Sequence, residues 1–199
     1  MSHELRTDVL TGRQVIVAPV RSERPGAFVP DPELSRGLDP FAEGQEHETP
    51  DEWFASRTAD SIANKPGWSL RVVPNRYPLL TTEASATADE HGSALFPTAL
   101  VPGVHDVVIE CPDQRSRLAE LSTAELANVL TAWRMRLSQL STTGEYSSVV
   151  VFRNEGFSAG ASLKHCHSQI VAMRSLTMID QERMRHESVH RQEIGRAHV

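Results

Sequence analysis

Residues 152–173 read FRNEGFSAGASLKHCHSQIVAM, and within them His165, His167 and Gln169 stand at every second position before an apolar run. In a β-strand, side chains two apart point to the same face. The spacing therefore demands a strand that presents two imidazoles and a carboxamide side by side. Upstream, YSSVVVFR (146–153) is β-branched and apolar, and the turn-rich NEGFSAGASLK between the two segments predicts a hairpin-like pair.

The rest of the chain supplies the sheet and its cover. RQVIVAPV (13–20), WSLRVVPNRYPLL (68–80) and GVHDVVIECPD (103–113) predict further strands, the second stopped at Pro74 and the third at Pro112. One helix is expected from Ser122, where STAE gives the capping-box spacing to Glu125, and it stops near Gly144. Leu126, Val129, Leu130, Trp133, Leu137 and Leu140 fall on it at three- and four-residue intervals and draw one apolar stripe for packing on a sheet. Strands, helix, strands is the order of an α+β domain rather than of alternating βαβ units. The Pro-, Gly- and acid-rich stretch 21–53 reads as a long irregular excursion, and TTEASATADEHGSALFP (81–97) as a loop.

At 199 residues, 39% hydrophobic and 23% charged, the chain is long enough for one sizeable core, and one domain is the default. A formal charge of -6 with dispersed Lys and Arg argues against a nucleic-acid surface, while a few local arginines suffice for a small anionic ligand. With no long apolar run and no charged-then-apolar leader, no membrane partner is expected. The two cysteines, Cys111 and Cys166, are expected to be reduced thiols in the cytoplasm.

Two histidines at i and i+2 fit a metal pair, a phosphate-binding pair or two alternating surface residues. Asn154, Gly156 and Gly160 precede them, and Ser162 stands three residues ahead of His165. Small residues let backbone amides approach a ligand closely, and a nest of N–H groups suits phosphate oxygens. Gly156 and Gly160 fit a plain tight turn equally well. His105 and Cys111, on or near a strand, read as core or edge residues.

The run from Asn154 through Gly160, Ser162, His165, His167 and Gln169 resembles, without a gap over sixteen positions, the active-site segment of the galactose-1-phosphate uridylyltransferases, a branch of the histidine-triad superfamily. LRTDVLTGRQVIVAPVRSERP resembles the family's opening strand, LRVVPNRYP its nucleotide-contacting strand and GVHDVVIECPD its next strand, so the likeness extends to about residue 175. The resemblance implies a histidine-triad-like antiparallel sheet with packed helices. It also implies an enzyme, a nucleotidyltransferase that moves a uridylyl group between UDP-glucose and galactose 1-phosphate through a uridylyl-histidine. His167 would be the nucleophile, with its other ring N–H held by a backbone carbonyl. Gln169 and Ser162 would hold phosphate oxygens, and Asn154 and Gly160 would line the same pocket. Asn75 would touch the nucleoside, and Arg21 and Arg24 would meet the sugar-phosphate charge.

Hydrolases of the superfamily carry a third histidine where Gln169 stands. An amide cannot hand a proton to a leaving group near neutral pH, which favours group transfer over hydrolysis. A phosphorylase acting on ADP-glucose or a dinucleoside polyphosphate is the alternative, and a nucleotide-binding module without turnover is a third reading. The partners implied are a nucleotide sugar and a hexose 1-phosphate, with no nucleic acid and no membrane; a homodimer is left open.

Two departures qualify the resemblance. Family members commonly hold a structural zinc through a CPFC segment, the histidine of PDH and the first histidine of the pair. Here CPFC is DPFA, so Asp39 and Ala42 stand in the cysteine positions, and PDH is PDQ, with Gln114. His165 is the one ligand that remains, so no tight zinc is expected and His165 becomes a plain hydrogen-bonding neighbour of the nucleophile. The family also carries a second copy of the fold after the first. Residues 1–192 are expected to form the histidine-triad-like catalytic domain, with the second domain missing. The closing EIGRAHV resembles translated sequencing-adapter read-through, which makes 193–199 a non-native tail, and QERMRHESVHRQ (181–192) would start a helix.

Overall fold

The computed structural model describes residues 3–23, 38–80, 98–161, 163–174 and 178–197. Along them run β1 (Glu4–Thr7), β2 (Gln14–Val17), β3 (Phe54–Arg57), β4 (Trp68–Pro74), β5 (Thr98–Leu100), β6 (Gly103–Ile109), α1 (Thr123–Thr142), β7 (Ser148–Phe152), β8 (His167–Met173) and α2 (Met178–Ala197). β1 lies between β2 and β5 in a small sheet, and the main sheet has the order β3, β4, β6, β8, β7. Every neighbouring pair in both sheets is antiparallel. The α+β architecture is therefore as expected, with a histidine-bearing strand inside the sheet rather than at its edge.

β6 and β8 form the central ladder, paired from Gly103↔Met173 to Ile109↔His167. Their alternation sorts the side chains onto two faces. Leu70, Val72, Val108, Ile170 and Ala172 pack beneath Val129, Ala132 and Leu140 of α1. Trp68, Val73, Val107 and Ile109 form a second cluster with Phe41 and Ala55 packed against it. A Cβ on Gly103 would collide with the Ala172 carbonyl, so the first position of β6 has room only for glycine.

α1 starts as its sequence dictates. Ser122 Oγ accepts from the Glu125 backbone N–H at 3.3 Å, and the Glu125 carboxylate accepts from the Ser122 N–H at 2.8 Å. The stripe needs correction, because Leu130 is exposed whereas Ala132 and Arg136 are buried. Val129, Ala132, Arg136 and Leu140 face the sheet, and Leu130 turns about 100° away from Val129. Burial of Arg136 follows from what lies beneath it. Its Nε donates to Asp106 Oδ2 of β6 at 2.7 Å, Trp53 Nε1 donates to Asp106 Oδ1 at 3.2 Å, and the guanidinium lies 5.1 Å from the Trp53 ring.

The expected strand 103–113 ends earlier than Pro112, at Ile109, although Glu110 N–H still donates to the Cys166 carbonyl at 3.1 Å. β3 and β5 have no counterpart in the sequence reading, and β1 enters it only within the segment that resembles the family's opening strand; each is only three or four residues long, too short for a period to declare itself. The loop expected over 81–97 lies outside the described residues. α2 begins at Met178, is fastened where Ser148 Oγ donates to Asp180 Oδ2 at 2.6 Å, and runs without interruption past residue 193. Among the described residues no helix is long and apolar enough to cross a membrane.

The Asp106–Arg136 pair joins α1 to the sheet in a site closed to water. Asp106→Ala, which leaves Arg136 buried without its partner, is expected to lower stability by about 3 kcal/mol, and replacing both residues with leucine is expected to recover much of that loss. Denaturant midpoints of the single and double variants check it.

Candidate active site

β8 turns His167 and Gln169 to the face opposite α1, while Ser168 faces the helix and its hydroxyl accepts from Trp133 Nε1 at 2.8 Å. His165 is not on the strand, which corrects the expectation of three alternating residues on one ladder. It occupies the bend just before β8. From there its carbonyl accepts from His167 Nδ1–H at 2.7 Å. That bond places the imidazole proton on Nδ1 and leaves the Nε2 lone pair available. Burial lowers the His167 pKa below its ordinary value, and the neighbouring Arg153 and His165 push the same way. The ring is neutral at physiological pH. Phe41 stands edge-on to it at 5.3 Å and to His165 at 6.0 Å.

His165 is in the opposite state. Its Nδ1 is 2.8 Å from Asp39 Oδ2 and its Nε2 is 2.8 Å from the Cys111 carbonyl. Both partners are acceptors, so both ring nitrogens carry a proton. Burial opposes this charge, but the hydrogen bonds to Asp39 and Cys111 and the Asp39 carboxylate outweigh it and raise the pKa to about 10. Burial likewise pushes against ionisation of Asp39, and the hydrogen bonds from His165 and from the Phe41 backbone N–H overcome it to hold that carboxyl below its usual range. His165 is thus a charged clamp rather than the plain neighbour expected. Cys111, read as core or edge, supplies its carbonyl to the clamp and sets its thiol 3.8 Å from the same nitrogen.

This arrangement does not fit a zinc ion. Asp39 and the Cys111 carbonyl engage opposite nitrogens of the His165 ring instead of converging with it on one point, and Ala42 has no ligand atom. Among the described residues no group of three His, Cys, Asp or Glu is placed to hold a metal ion. The segment bearing Asp39 and Phe41 is instead fastened by protein contacts. Trp68 Nε1 donates to Glu46 Oε1 at 2.6 Å, and Glu43 N–H donates to the Pro112 carbonyl at 2.9 Å.

In front of His167 lies a cavity of about 340 Å³, lined among others by Arg21, Asn75, Asn154, Gly160, His167 and Gln169. Arg21 Nη1 donates to the Tyr77 carbonyl at 2.9 Å. Arg24 and Ser162 lie outside the described residues. At Gly160 φ is +81° and an added methyl would meet nothing closer than 4.0 Å, so its backbone conformation, not crowding, requires glycine. Gly156 closes a turn, its carbonyl accepting from Ala159 and Ala161 N–H. Sequence reasoning missed Phe41, Thr49, Arg76, Tyr77 and Leu163 as cavity walls. Phe41 lies in the altered DPFA segment, Arg76 and Tyr77 in LRVVPNRYP and Leu163 in the histidine-bearing run, so each stood in a segment already singled out, whereas Thr49 carried no such signal. His105, read as core or edge, in fact touches the site, with Nε2 2.9 Å from Gln169 Oε1.

An antiparallel five-stranded sheet whose inner strand turns a histidine toward a cavity is the architecture of the histidine-triad class. Within that class the chain belongs to the galactose-1-phosphate uridyl transferase family, whose N-terminal domain matches residues 1–177. It is 37% identical over 180 residues to an ADP-glucose phosphorylase of Arabidopsis thaliana, a match covering 86% of this chain and 49% of the relative. The crystal structure of an ADP-glucose phosphorylase from Arabidopsis thaliana with bound ADP-glucose aligns with TM-score 0.65 and 31% identity, over 98% of this chain and 56% of that one. A uridylyltransferase structure shares the fold with TM-score 0.67 at 23% identity, over 96% of this chain and 52% of that one. The chain spans about half the length of these relatives.

Because the folded pKa of His165 stands above its ordinary 6.5, the clamp's contribution to stability is complete at pH 6.5 and just below it, where Asp39 is still ionised, and is lost as pH rises toward 10. Denaturation midpoints should fall across that window. Asp39→Asn should cost about 3 kcal/mol at the acid end and flatten the slope. Metal analysis of the purified protein should find no stoichiometric zinc.

Proposed function

We propose that the protein is a nucleotidyltransferase acting on a nucleotide sugar through a covalent nucleotidyl-histidine on His167. The observation that carries this reading is the 2.7 Å hydrogen bond from His167 Nδ1 to the His165 carbonyl, which leaves Nε2 as a neutral, basic nitrogen in the wall of a cavity. In the first step that nitrogen attacks the α-phosphorus, the N–P bond forms, and the bond from phosphorus to the bridging oxygen breaks. The sugar 1-phosphate leaves with the electron pair. In the second step a phosphate oxygen of the acceptor attacks the same phosphorus and returns the electron pair to Nε2.

Gln169 supports transfer rather than hydrolysis. Its amide can donate to a non-bridging phosphate oxygen but has no titrating proton for a leaving group near pH 7. Asn154 and Gly160 line the cavity from the β7–β8 connection, and Arg21 and Asn75 line it from earlier segments of the chain, where they suit the charge and the nucleoside of such a ligand.

For the substrate pair, ADP-glucose with phosphate as acceptor is supported by the 37% identity to a plant ADP-glucose phosphorylase. Uridylyl transfer between UDP-glucose and galactose 1-phosphate is the second reading, supported by the family to which the chain belongs. Incubation with each nucleotide sugar labelled in its α-phosphorus discriminates them, the true donor being the one that leaves an acid-labile label on the protein. Binding of a nucleotide sugar in calorimetry with no label from either donor would instead mark a binding module.

His167→Ala is expected to lower kcat by at least about 10⁴-fold, and Gln169→Ala by about 10²-fold. Since burial holds the His167 pKa below 6.5, kcat/KM should stay level as pH falls to 6.5 and drop only below it, as the nucleophile becomes protonated. A pH–rate profile with its acid limb above that value would contradict the assignment.

A further inference from the structure

We propose that His105 is a positioning residue that fixes the Gln169 amide with its NH₂ end toward the cavity. This rests on the transfer reading above and deepens it by naming what orients the phosphate-holding group. A glutamine amide has a donor end and an acceptor end of nearly the same shape. Turned one way it donates to a phosphate oxygen; turned the other way it sets a carbonyl oxygen against an anion. The outcome matters for any phosphate in that cavity.

The structure resolves the choice through a backbone group that can only donate. Leu79 N–H lies 2.8 Å from His105 Nδ1, so Nδ1 must be the acceptor. A neutral imidazole then carries its proton on Nε2. That proton meets Gln169 Oε1 at 2.9 Å, which makes Oε1 the acceptor and leaves the Gln169 NH₂ as the end presented to the cavity. Asn75 is oriented in the same way, since Tyr77 N–H donates to its Oδ1 at 2.9 Å. Its Nδ2 lies 3.1 Å from His105 Nε2, which the tautomer fixed by Leu79 makes a second donor, so this contact does not orient Asn75. The Asn75 amide thus also offers hydrogens at the cavity wall. The His105 tautomer thus sets the polarity of the Gln169 amide, and the Tyr77 N–H sets that of Asn75.

The geometry is built by the sheet. His105 pairs with Val171 and Gln169 with Val107 across the β6–β8 ladder, so the two side chains are diagonal neighbours on the site face. Phe152, opposite Gln169 on β7, packs its ring 6.5 Å from His105. Both rings are thereby held on the wall behind the amide.

Nitrogen-15 NMR of the wild-type protein should show the His105 proton on Nε2 with Nδ1 unprotonated, and a proton on Nδ1 overturns the inference. Two variants then test its consequence. His105→Asn keeps an acceptor near the Leu79 amide but cannot reach Gln169, whereas His105→Gln brings an N–H to the place of Nε2. Labelling of His167 by the donor nucleotide sugar should slow about tenfold or more in His105→Asn with KM changed less than about threefold, and His105→Gln should recover to within about threefold of wild type. Labelling at the wild-type rate in a folded His105→Asn protein overturns the inference, as does equal slowing in both variants, which a merely structural role would produce. A wild-type protein that takes no label overturns the transfer reading and the catalytic meaning of His105 together, so the two failures are distinguishable.

Discussion

The carbonyl of His165 decides which nitrogen of His167 can act, and much of the surrounding structure exists to hold that carbonyl still. It lies in a bend, where backbone is ordinarily free to shift. Here the residue is tied at three points. Its ring is gripped by Asp39 and by the Cys111 carbonyl, and the next residue donates its N–H to the Arg115 carbonyl at 2.6 Å. The Cys166 carbonyl in turn accepts from Glu110, carrying the β6–β8 ladder one step beyond the regular strands. The tautomer of the candidate nucleophile is therefore a property of the sheet and its margin, not of the imidazole alone.

Two histidines two residues apart are held in opposite protonation states, and burial cannot be the reason, since both are buried. Desolvation lowers each pKa. What separates them is Asp39, whose carboxylate offsets the cost of charge at His165 and reaches His167 only weakly. The positive ring behind His167 then helps keep His167 neutral, because a second charge so close would be repelled. The resemblance places cysteine at the position of Asp39 and zinc beside His165. In this chain an ion pair between protein groups joins the same two segments, with Phe41 packed against both imidazoles.

Much of this was legible in the residues. The alternation of His167 and Gln169 survives as a shared face, the capping box at Ser122 and Glu125 forms as its spacing requires, and the β-branched runs become β4, β6, β7 and β8. What could not be read was long-range. Arg136 falls outside the apolar stripe that the spacing draws, and only the presence of Asp106 on a strand thirty residues earlier explains its burial. Asp39 looked like a lost ligand, because nothing local shows that its carboxylate meets an imidazole 126 positions away. His105 looked like a core residue for a similar reason: its partners are a backbone amide and a glutamine that converge only once β6 and β8 pair. Pattern reports periodicity within a segment, whereas hydrogen-bond direction depends on what the fold brings opposite.

Beside Glu48, Thr49, Tyr77 and His167, the cavity wall carries five amide and guanidinium groups. Gln169, Asn75 and Asn154 offer neutral amides, and Arg21 and Arg76 offer permanent cations. None of these five can release a proton near neutral pH. A leaving group that must be protonated as it departs, such as a simple alcohol or amine, would find no acid among them. A sugar phosphate leaving from a pyrophosphate linkage needs none, since it is already stable as an anion and gains from the amide donors and guanidinium groups that attract its oxygens. Neutral donors confer a further advantage over an added ammonium or imidazolium: they bind the anion without drawing down the basicity of the neighbouring Nε2 through an extra positive charge. These amide and guanidinium groups therefore suit a phosphoryl-linked group that passes between two anionic oxygens by way of a neutral nitrogen, because they attract the anion on either side of the transfer and leave that nitrogen its lone pair.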